Sequence, residues 1–333
     1  MKRFNVGLFV PHAGCPHQCT FCNQKSISGQ LKSITPEDVD KAVRIAVESS
    51  PEGEGEIAFF GGSFTAIDRG QMICLLQSAK KYVLRGTFKG IRVSTRPDAI
   101  DEEICDILKE NLVTSVELGC QSTDNEVLAA NKRGHTVRDI EESTELLKKY
   151  GFEVGHQMMT GLYKSSYEKD IKTAEKLISL FPDTVRIYPT VVLENTELCS
   201  LYRSGEYKLM SDDETVELCA KLLLMFHENG IPVIRMGLHS GGNVEEGYVA
   251  GFYHPAFRQL CESRIYLRKT LEYIEKNNIK KGNVLIKTAP SAVSSVIGQK
   301  RSNLDLLRQS GYSAKVSASA DVGRFEVKVE EQI

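Results

Sequence analysis

His12-Ala13-Gly14-Cys15-Pro16-His17-Gln18-Cys19-Thr20-Phe21-Cys22-Asn23-Gln24 is the stretch from which the rest of the chain is read. It follows a β-branched and aromatic run, Asn5 to Val10, with the composition of a strand. Three cysteines separated by three and then two residues, in a loop after a strand, can converge on one inorganic core, and Gly14 lets the loop turn tightly. Soft sulfur ligands select zinc, copper or iron–sulfur clusters over magnesium or calcium. A structural zinc site normally takes four protein ligands, most often from two Cys-x-x-Cys hooks, and the chain has no second hook; His12 or His17 can complete a tetrahedron. A four-iron cluster held by three cysteines leaves one iron open, which is a place for a cofactor.

Outward from this loop, short strand-like runs alternate with helical patterns to about residue 240. The candidate strands are Asn5 to Val10, Ile57 to Phe60, Ile91 to Thr95, Ser115 to Leu118, Glu153 to Met158 and Thr184 to Tyr188. Six strands with intervening helices imply parallel βα units. A closed barrel, a partial barrel and an open doubly wound sheet all fit, and the strand count favours a partial (β/α)6 TIM-like barrel of the α/β class. Thr35-Pro36, Ser165 with Glu168, and Ser211 with Glu214 read as helix starts, and Gly151 and Gly230 as helix stops. In a barrel the chemistry sits on the loops at the C-terminal ends of the strands.

Beyond Gly237 the pattern changes. A glycine-rich passage, His239-Ser240-Gly241-Gly242 to His254-Pro255, precedes a helix from about Arg258 to Lys276, a run Val284 to Thr288, a polar stretch Ser291 to Ser302 and an alternating Val316 to Val329. The expected division is a barrel over 1–240 and a small C-terminal α+β domain over 241–333 that binds substrate or RNA.

Composition excludes other classes. The 333 residues carry 42 Lys and Arg against 44 Asp and Glu, with 41% hydrophobic residues, which is neither a fibrous nor a highly charged disordered chain. Met1-Lys2-Arg3 leads into too short an apolar run for an export segment, and no run of about 20 apolar residues exists, so a soluble cytoplasmic protein is expected. Nine cysteines are too few for a disulfide scaffold; Cys74, Cys105, Cys120, Cys199, Cys219 and Cys261 are scattered. The net charge is -2, but the last 53 residues carry +3, a basic tail.

Cys15-x3-Cys19-x-Phe21-Cys22 resembles the hallmark of the radical S-adenosylmethionine superfamily. That resemblance implies a partial barrel, a 4Fe-4S cluster on Cys15, Cys19 and Cys22, and S-adenosylmethionine chelating the open iron. It further implies reductive cleavage of the cofactor to methionine and a 5'-deoxyadenosyl radical. Phe60-Gly61-Gly62-Ser63-Phe64-Thr65 is similar to the family's glycine-rich motif, so the carbonyls of Gly61, Gly62 and Ser63 are the expected contacts of the methionine amino group; an ordinary βα turn is the alternative. Phe21, Arg96 in Ser94-Thr95-Arg96-Pro97-Asp98, and Glu117 and Gln121 in Glu117-Leu118-Gly119-Cys120-Gln121-Ser122 are the further expected cofactor contacts. For Glu117 the alternative is a salt bridge to Arg96 or another basic residue.

Asn131-Lys132-Arg133-Gly134-His135-Thr136-Val137, His156 to Leu162 and Val185 to Val192 narrow the resemblance to the catalytic subunit of Elongator, the Elp3-like branch. From these 333 residues the expectation is a member of that branch without its acetyltransferase domain and without its long basic N-terminal extension. The expected function is a radical enzyme modifying a tRNA base, with the wobble uridine as the sharper form. Its implied partners are tRNA, a reductant such as flavodoxin or ferredoxin, and a second modification enzyme, with no membrane. A radical enzyme acting on a small metabolite or tetrapyrrole-like molecule, and a non-catalytic zinc-containing RNA-binding protein, are the alternatives.

His156, Gln157, Arg186, Tyr188 and Arg235 are the candidates for positioning a substrate; a buried network is the alternative for each. Lys132, Arg133 and His135, with Lys287, Lys300, Arg301, Arg308, Lys315 and Arg324, are candidates for a phosphate-binding surface. Tyr248, Phe252, Tyr253 and His254 are candidates for stacking on a base, or else pack a domain junction.

Overall fold

Parallel strands covered on both faces read as nearly continuous apolar runs, and the six runs of the N-terminal part are such strands. The computed structural model describes residues 5–10, 15–23, 34–49, 55–238 and 244–332. His12, Gly14 and Gln24 of the cysteine loop and the His239 to Gly242 run lie outside the described residues. The strands are β1 (Val6–Phe9), β2 (Glu56–Phe60), β3 (Gly90–Thr95), β4 (Val113–Gln121), β5 (Glu153–Thr160) and β6 (Thr184–Pro189). β7 (Val191–Leu193) lies outside this sheet, and β8 (Val233–Met236) completes it as a seventh strand. The order is β1-β2-β3-β4-β5-β6-β8, with every neighbouring pair parallel, so the sheet is an open half-barrel with β1 and β8 at its edges.

The seventh strand corrects the count of six. β8 has only four residues, with Ile234 exposed between buried Val233 and half-buried Arg235, so an edge strand this short carries a weak signal. β7 instead pairs antiparallel with β9 (Tyr248–Gly251) beyond the end of β6.

Helix starts follow their side-chain chemistry. At Pro36–Ser49 the Thr35 amide and hydroxyl both donate to Asp38 Oδ2, at 2.9 and 3.2 Å, while Val39 and Val43 face the core. Ser211 and Glu214 form a complete capping box at Asp212–Glu228. At Tyr167–Ser179 the cap is one residue later than the sequence reading placed it: Ser166 accepts from the Lys169 amide, and Ser165 donates to Asp170 at 2.6 Å. Gly151 and Gly230 both take φ 72° just after their helices, where a Cβ would be strained.

After the helix Phe257–Lys276, β10 (Gly282–Thr288), β11 (Tyr312–Ala318) and β12 (Val327–Glu331) form a second sheet in the order β11-β10-β12. β10 is parallel to β11 and antiparallel to β12. Val284, Ile286, Val327 and Val329 are buried in the same apolar core as Ile265 and Tyr266 of the long helix. The apolar core runs without a break from the half-barrel into this mixed sheet. No helix among the described residues is long and apolar enough to cross a membrane.

Asp170, 1% exposed, accepts from the Gly161 amide at 2.8 Å and the Ser165 hydroxyl, holding the loop that leaves β5. Burial pushes its carboxyl up to about 6, against the pull of those two donors. An unfolded aspartate titrates near about 3.9. Between that value and about 6 the folded chain holds more protons than the unfolded one, so stability falls as pH rises through this window, by about 3 kcal/mol. Asp170→Asn is expected to flatten that part of the curve in urea unfolding from pH 4 to 7. Parallel slopes in the two proteins would contradict this assignment.

Candidate active site

The cysteine loop is pinned over the C-terminal ends of the strands by polar contacts on Thr20. This buried side chain donates to Asn131 Oδ1 at 2.9 Å, its amide donates to the Asn131 carbonyl, and its carbonyl accepts from the Leu198 amide at 2.8 Å. Asn131 is itself buried and donates to the carbonyls of Val127 and Tyr163, so it links the loops after β4 and β5 to the cysteines. Asn23 donates to the Glu194 carbonyl at 2.8 Å. Phe21 packs in a small apolar cluster with Leu198, Tyr207 and Tyr163.

Cys19 is buried, Cys15 and Cys22 are half-buried, and the Cys22 amide donates to the Cys19 carbonyl at 3.1 Å. Among the described residues no three His, Cys, Asp or Glu side chains are gathered around a point for a single metal ion. His17 is exposed on the rim of a cavity of about 600 Å³ that also touches Cys19, Lys132, Gly134 and Glu197. Burial and the neighbouring Cys19 push the Cys15 thiol above its ordinary value, against the pull of Arg96 and Arg133.

At the end of β2, Gly61 and Gly62 take φ 82° and 48°, and a Cβ on Gly61 would stand 3.2 Å from the Val10 carbonyl oxygen. Next to them runs a chain of hydroxyls. The Arg96 amide donates to Ser63 Oγ (3.2 Å), Ser63 and Thr95 are 2.8 Å apart, Thr95 and Thr65 are 2.6 Å apart, and Thr65 donates to the Ala99 carbonyl at 2.5 Å. With one hydrogen per hydroxyl, the last bond fixes the direction of the others: Ser63 donates to Thr95 and Thr95 to Thr65. The Ser63 side chain therefore has no hydrogen to offer a ligand, and the main chain of Gly61 to Ser63 is what this turn can present.

The ends of β3 and β4 contribute guanidinium groups. Arg96 holds Asp98 in a two-point pair at 2.8 Å each and also donates to the Arg133 carbonyl. Arg133 donates to Cys19 Sγ at 3.1 Å and to the Gly119 carbonyl at 2.7 Å. Arg96 Nη1 and Arg133 Nε are buried with no partner among the described residues. Gln121 ends β4 with φ 64°, and a Cβ on Gly119 would lie 3.0 Å from its amide nitrogen. Sulfur donors, buried cationic donors with hydrogens to spare and an unobstructed glycine turn fit an anionic, sulfur-ligated cluster with a zwitterionic cofactor beside it.

Deeper inside lies an ion-pair network. Arg92 donates to Glu56 (2.8 Å), Glu117 (3.2 Å) and Glu153 (2.8 Å). Glu117, 1% exposed, also receives Gln157 at 2.9 Å, and both its oxygens are met by Arg186 at 2.6 Å. The expected cofactor contact of Glu117 is thus replaced by the salt-bridge alternative, with Arg92 and Arg186 as partners and not Arg96. A Cβ on Gly155 would come within 3.0 Å of Glu117 Cγ, so that glycine makes its room. Burial alone would raise Glu56, but Arg92 and the Ser115 hydroxyl outweigh it and hold the carboxyl below its ordinary value. Arg186 lies over the Phe60 ring at 5.3 Å, and burial raises the Tyr188 phenol despite Arg186 beside it.

His156 is a correction. Its neighbour Gln157 faces Glu117, so His156 turns to the other face of β5, where Nε2 meets Thr144 Oγ1 at 2.9 Å. Burial drives its pKa down to about 3, and it packs between β5 and the helix Val137–Lys149. Of the candidates for a phosphate surface, two leave it, while Lys300, Arg301 and Lys315 are exposed. Arg133 and His135 are buried, burial takes His135 down to about 4, and Lys132 pairs with Glu197. In the tail Lys287, Arg308 and Arg324 pair with Glu330, Asp305 and Glu262. Phe252 packs between His254 and Phe257, and the exposed Tyr248 against Tyr253.

Sequence reasoning missed Glu56, Arg92 and Glu153, although charged residues inside apolar strand runs were a signal. Arg92→Met leaves Glu56 and Glu117 short of their counter-charge and is expected to cost about 3–5 kcal/mol in urea unfolding at pH 7. A change under about 0.5 kcal/mol, the scale of an ordinary surface substitution, would refute the network's role.

With this geometry in place, comparison with known proteins is informative. Residues 9–177 match the Radical SAM superfamily and residues 182–267 the Radical SAM C-terminal domain. A tRNA uridine(34) acetyltransferase of Methanocaldococcus infernus is 42% identical over 130 residues, covering 38% of this chain and 24% of the relative. Elongator complex protein 3 of Homo sapiens is 36% identical over 156 residues, covering 45% of this chain and 28% of the relative. The chain spans about a quarter of the length of these curated relatives. The solved archaeal Methanocaldococcus infernus Elp3 with an N-terminal deletion matches the fold with a TM-score of 0.61 at 22% identity, over 84% of this chain and 65% of that one. A half-barrel bearing three cysteines on its first loop, with a family match over half of the chain, makes this chain a member of the radical SAM superfamily, similar over part of its length to Elongator complex protein 3.

Proposed function

We propose that this protein is a radical S-adenosylmethionine enzyme that modifies a base of tRNA, the wobble uridine being the sharper form. The observation that carries the reading is the cysteine loop fixed over the strand ends, with a buried guanidinium on the Cys19 sulfur and the Gly61-Gly62 turn beside it. The tRNA substrate is supported by the likeness to proteins named tRNA uridine(34) acetyltransferase.

Cys15, Cys19 and Cys22 are proposed to hold a 4Fe-4S cluster. The main chain of Gly61, Gly62 and Ser63 is proposed to receive the cofactor amino group, with Arg96 and Gln121 on its charged end and Phe21 at its rim. When bound and reduced, the cluster supplies the electron that cleaves S-adenosylmethionine. The chain's own part is to bind, orient and exclude water. Glu117 fixes the Arg186 guanidinium over Phe60, so that Arg186 and Tyr188 face the interior as substrate-positioning groups. The division into a barrel over 1–240 and an extension over 241–333 belongs to the same proposal, as do a low-potential donor such as flavodoxin or ferredoxin and a second modification enzyme.

Anaerobic reconstitution is expected to load about four irons and four sulfides per chain, with dithionite-driven release of 5'-deoxyadenosine. Cys15→Ala, Cys19→Ala and Cys22→Ala are each expected to abolish that release, and Cys261→Ala, buried in the long helix, to keep it. Tightly bound zinc and no cleavage would sink the enzymatic reading. Nucleoside analysis of tRNA from cells with and without the gene is expected to show one modified uridine lost. An unchanged profile, with no tRNA binding, would move the substrate to a small molecule.

A further inference from the structure

Three arginines among the described residues are more than nine-tenths buried: Arg92, Arg96 and Arg133. Taking a guanidinium out of water costs several kcal/mol unless an anion meets it. Arg92 and Arg96 each meet carboxylates at 2.8 Å, whereas Arg133 has no carboxylate partner among the described residues. Its acceptors are the Cys19 sulfur at 3.1 Å and the Gly119 carbonyl at 2.7 Å, and its Nε has no partner among the described residues. Arg133 is also held in place. Its amide donates to the Leu128 carbonyl at 3.0 Å and its carbonyl accepts from Arg96. The next residue, Gly134, takes φ 75°, and a Cβ there would collide with the His17 ring at 2.1 Å. The backbone thus lies close against the cysteine loop, and the Arg133 side chain is buried there and not turned to water.

We infer that the missing counter-charge of Arg133 is the thiolate-ligated cluster itself, and that Arg133 sets its reduction potential. This rests on the function proposed above and adds to it a named positioning residue. Reduction adds one electron, taken from an external one-electron donor, to a group that already carries negative charge on its thiolates. A fixed positive charge and an N–H donor on one of those sulfurs stabilise the reduced form more than the oxidised one, which raises the potential. Arg96 contributes less, because Asp98 neutralises it. Arg133 touches the cluster's ligand and not the substrate, so its effect lies on electron uptake and not on the reacting carbon.

The test uses the full chain, reconstituted without oxygen, as wild type, Arg133→Met, Arg133→Lys and Lys132→Met. Met keeps the apolar stem without the charge or the donor; Lys keeps the charge but cannot serve Cys19 and Gly119 together. Iron and sulfide contents are measured first, then the potential by dithionite titration followed by electron paramagnetic resonance, with no S-adenosylmethionine present. Equal iron in all four proteins is expected, with a shift to more negative potential in Arg133→Met, a smaller shift in Arg133→Lys and none in Lys132→Met. Unchanged potentials in loaded Arg133 variants overturn the inference. Loss of iron from both Arg133 variants also overturns it, because the residue then builds the cluster instead of tuning it. A wild type that takes up no four-iron cluster fails at the earlier step and sinks the proposed function, which keeps the two failures distinct.

Discussion

The Arg92 guanidinium is the constraint on which the half-barrel depends. An open sheet has no ring closure to fix the relative height of its strands, and its inner face is where a shift would show. Arg92 on β3 draws carboxylates from β2, β4 and β5 to one point, and Glu117 passes the tie on to Arg186 on β6. Five of the seven strands are thereby indexed against one another by charge-assisted bonds, in addition to their backbone ladders. Above this layer the strand ends are free to differ in chemistry because their positions are already set.

That order, a charged floor and a polar rim, explains which expectations held and which did not. The strands and the glycine turn were legible because backbone conformation has direct signatures: apolar runs, glycine at positive φ, hydroxyls and carboxylates at helix starts. What the sequence hid was direction. In a parallel strand buried on both faces the alternation of polar and apolar residues is lost, so nothing local says whether His156 or Gln157 points inward. The structure turns Gln157 in and His156 out, and with that a candidate substrate ligand becomes a packing residue.

Arg133 was hidden for a related reason. Beside Lys132 and His135 it read as part of a basic surface, and local composition does not record that the turn after Asn125–Ala130 folds back over the cysteines. The pairing of Lys132 with Glu197 outside and of Arg133 with Cys19 inside divides two adjacent cations between solvent and site. The seventh strand escaped for lack of length, and the cap at Ser166 was displaced by one residue because Ser165 has a second acceptor in Asp170.

The row of hydroxyls from Ser63 to Thr65 has a consequence for the character of the site wall. It begins at an amide and ends at a carbonyl, neither of which exchanges protons readily at neutral pH, and every hydrogen between them is already assigned. Such a row cannot relay a proton in either direction. The rim between β2 and β3 therefore meets whatever lies against it as a fixed array of lone pairs, although it is built of alcohols.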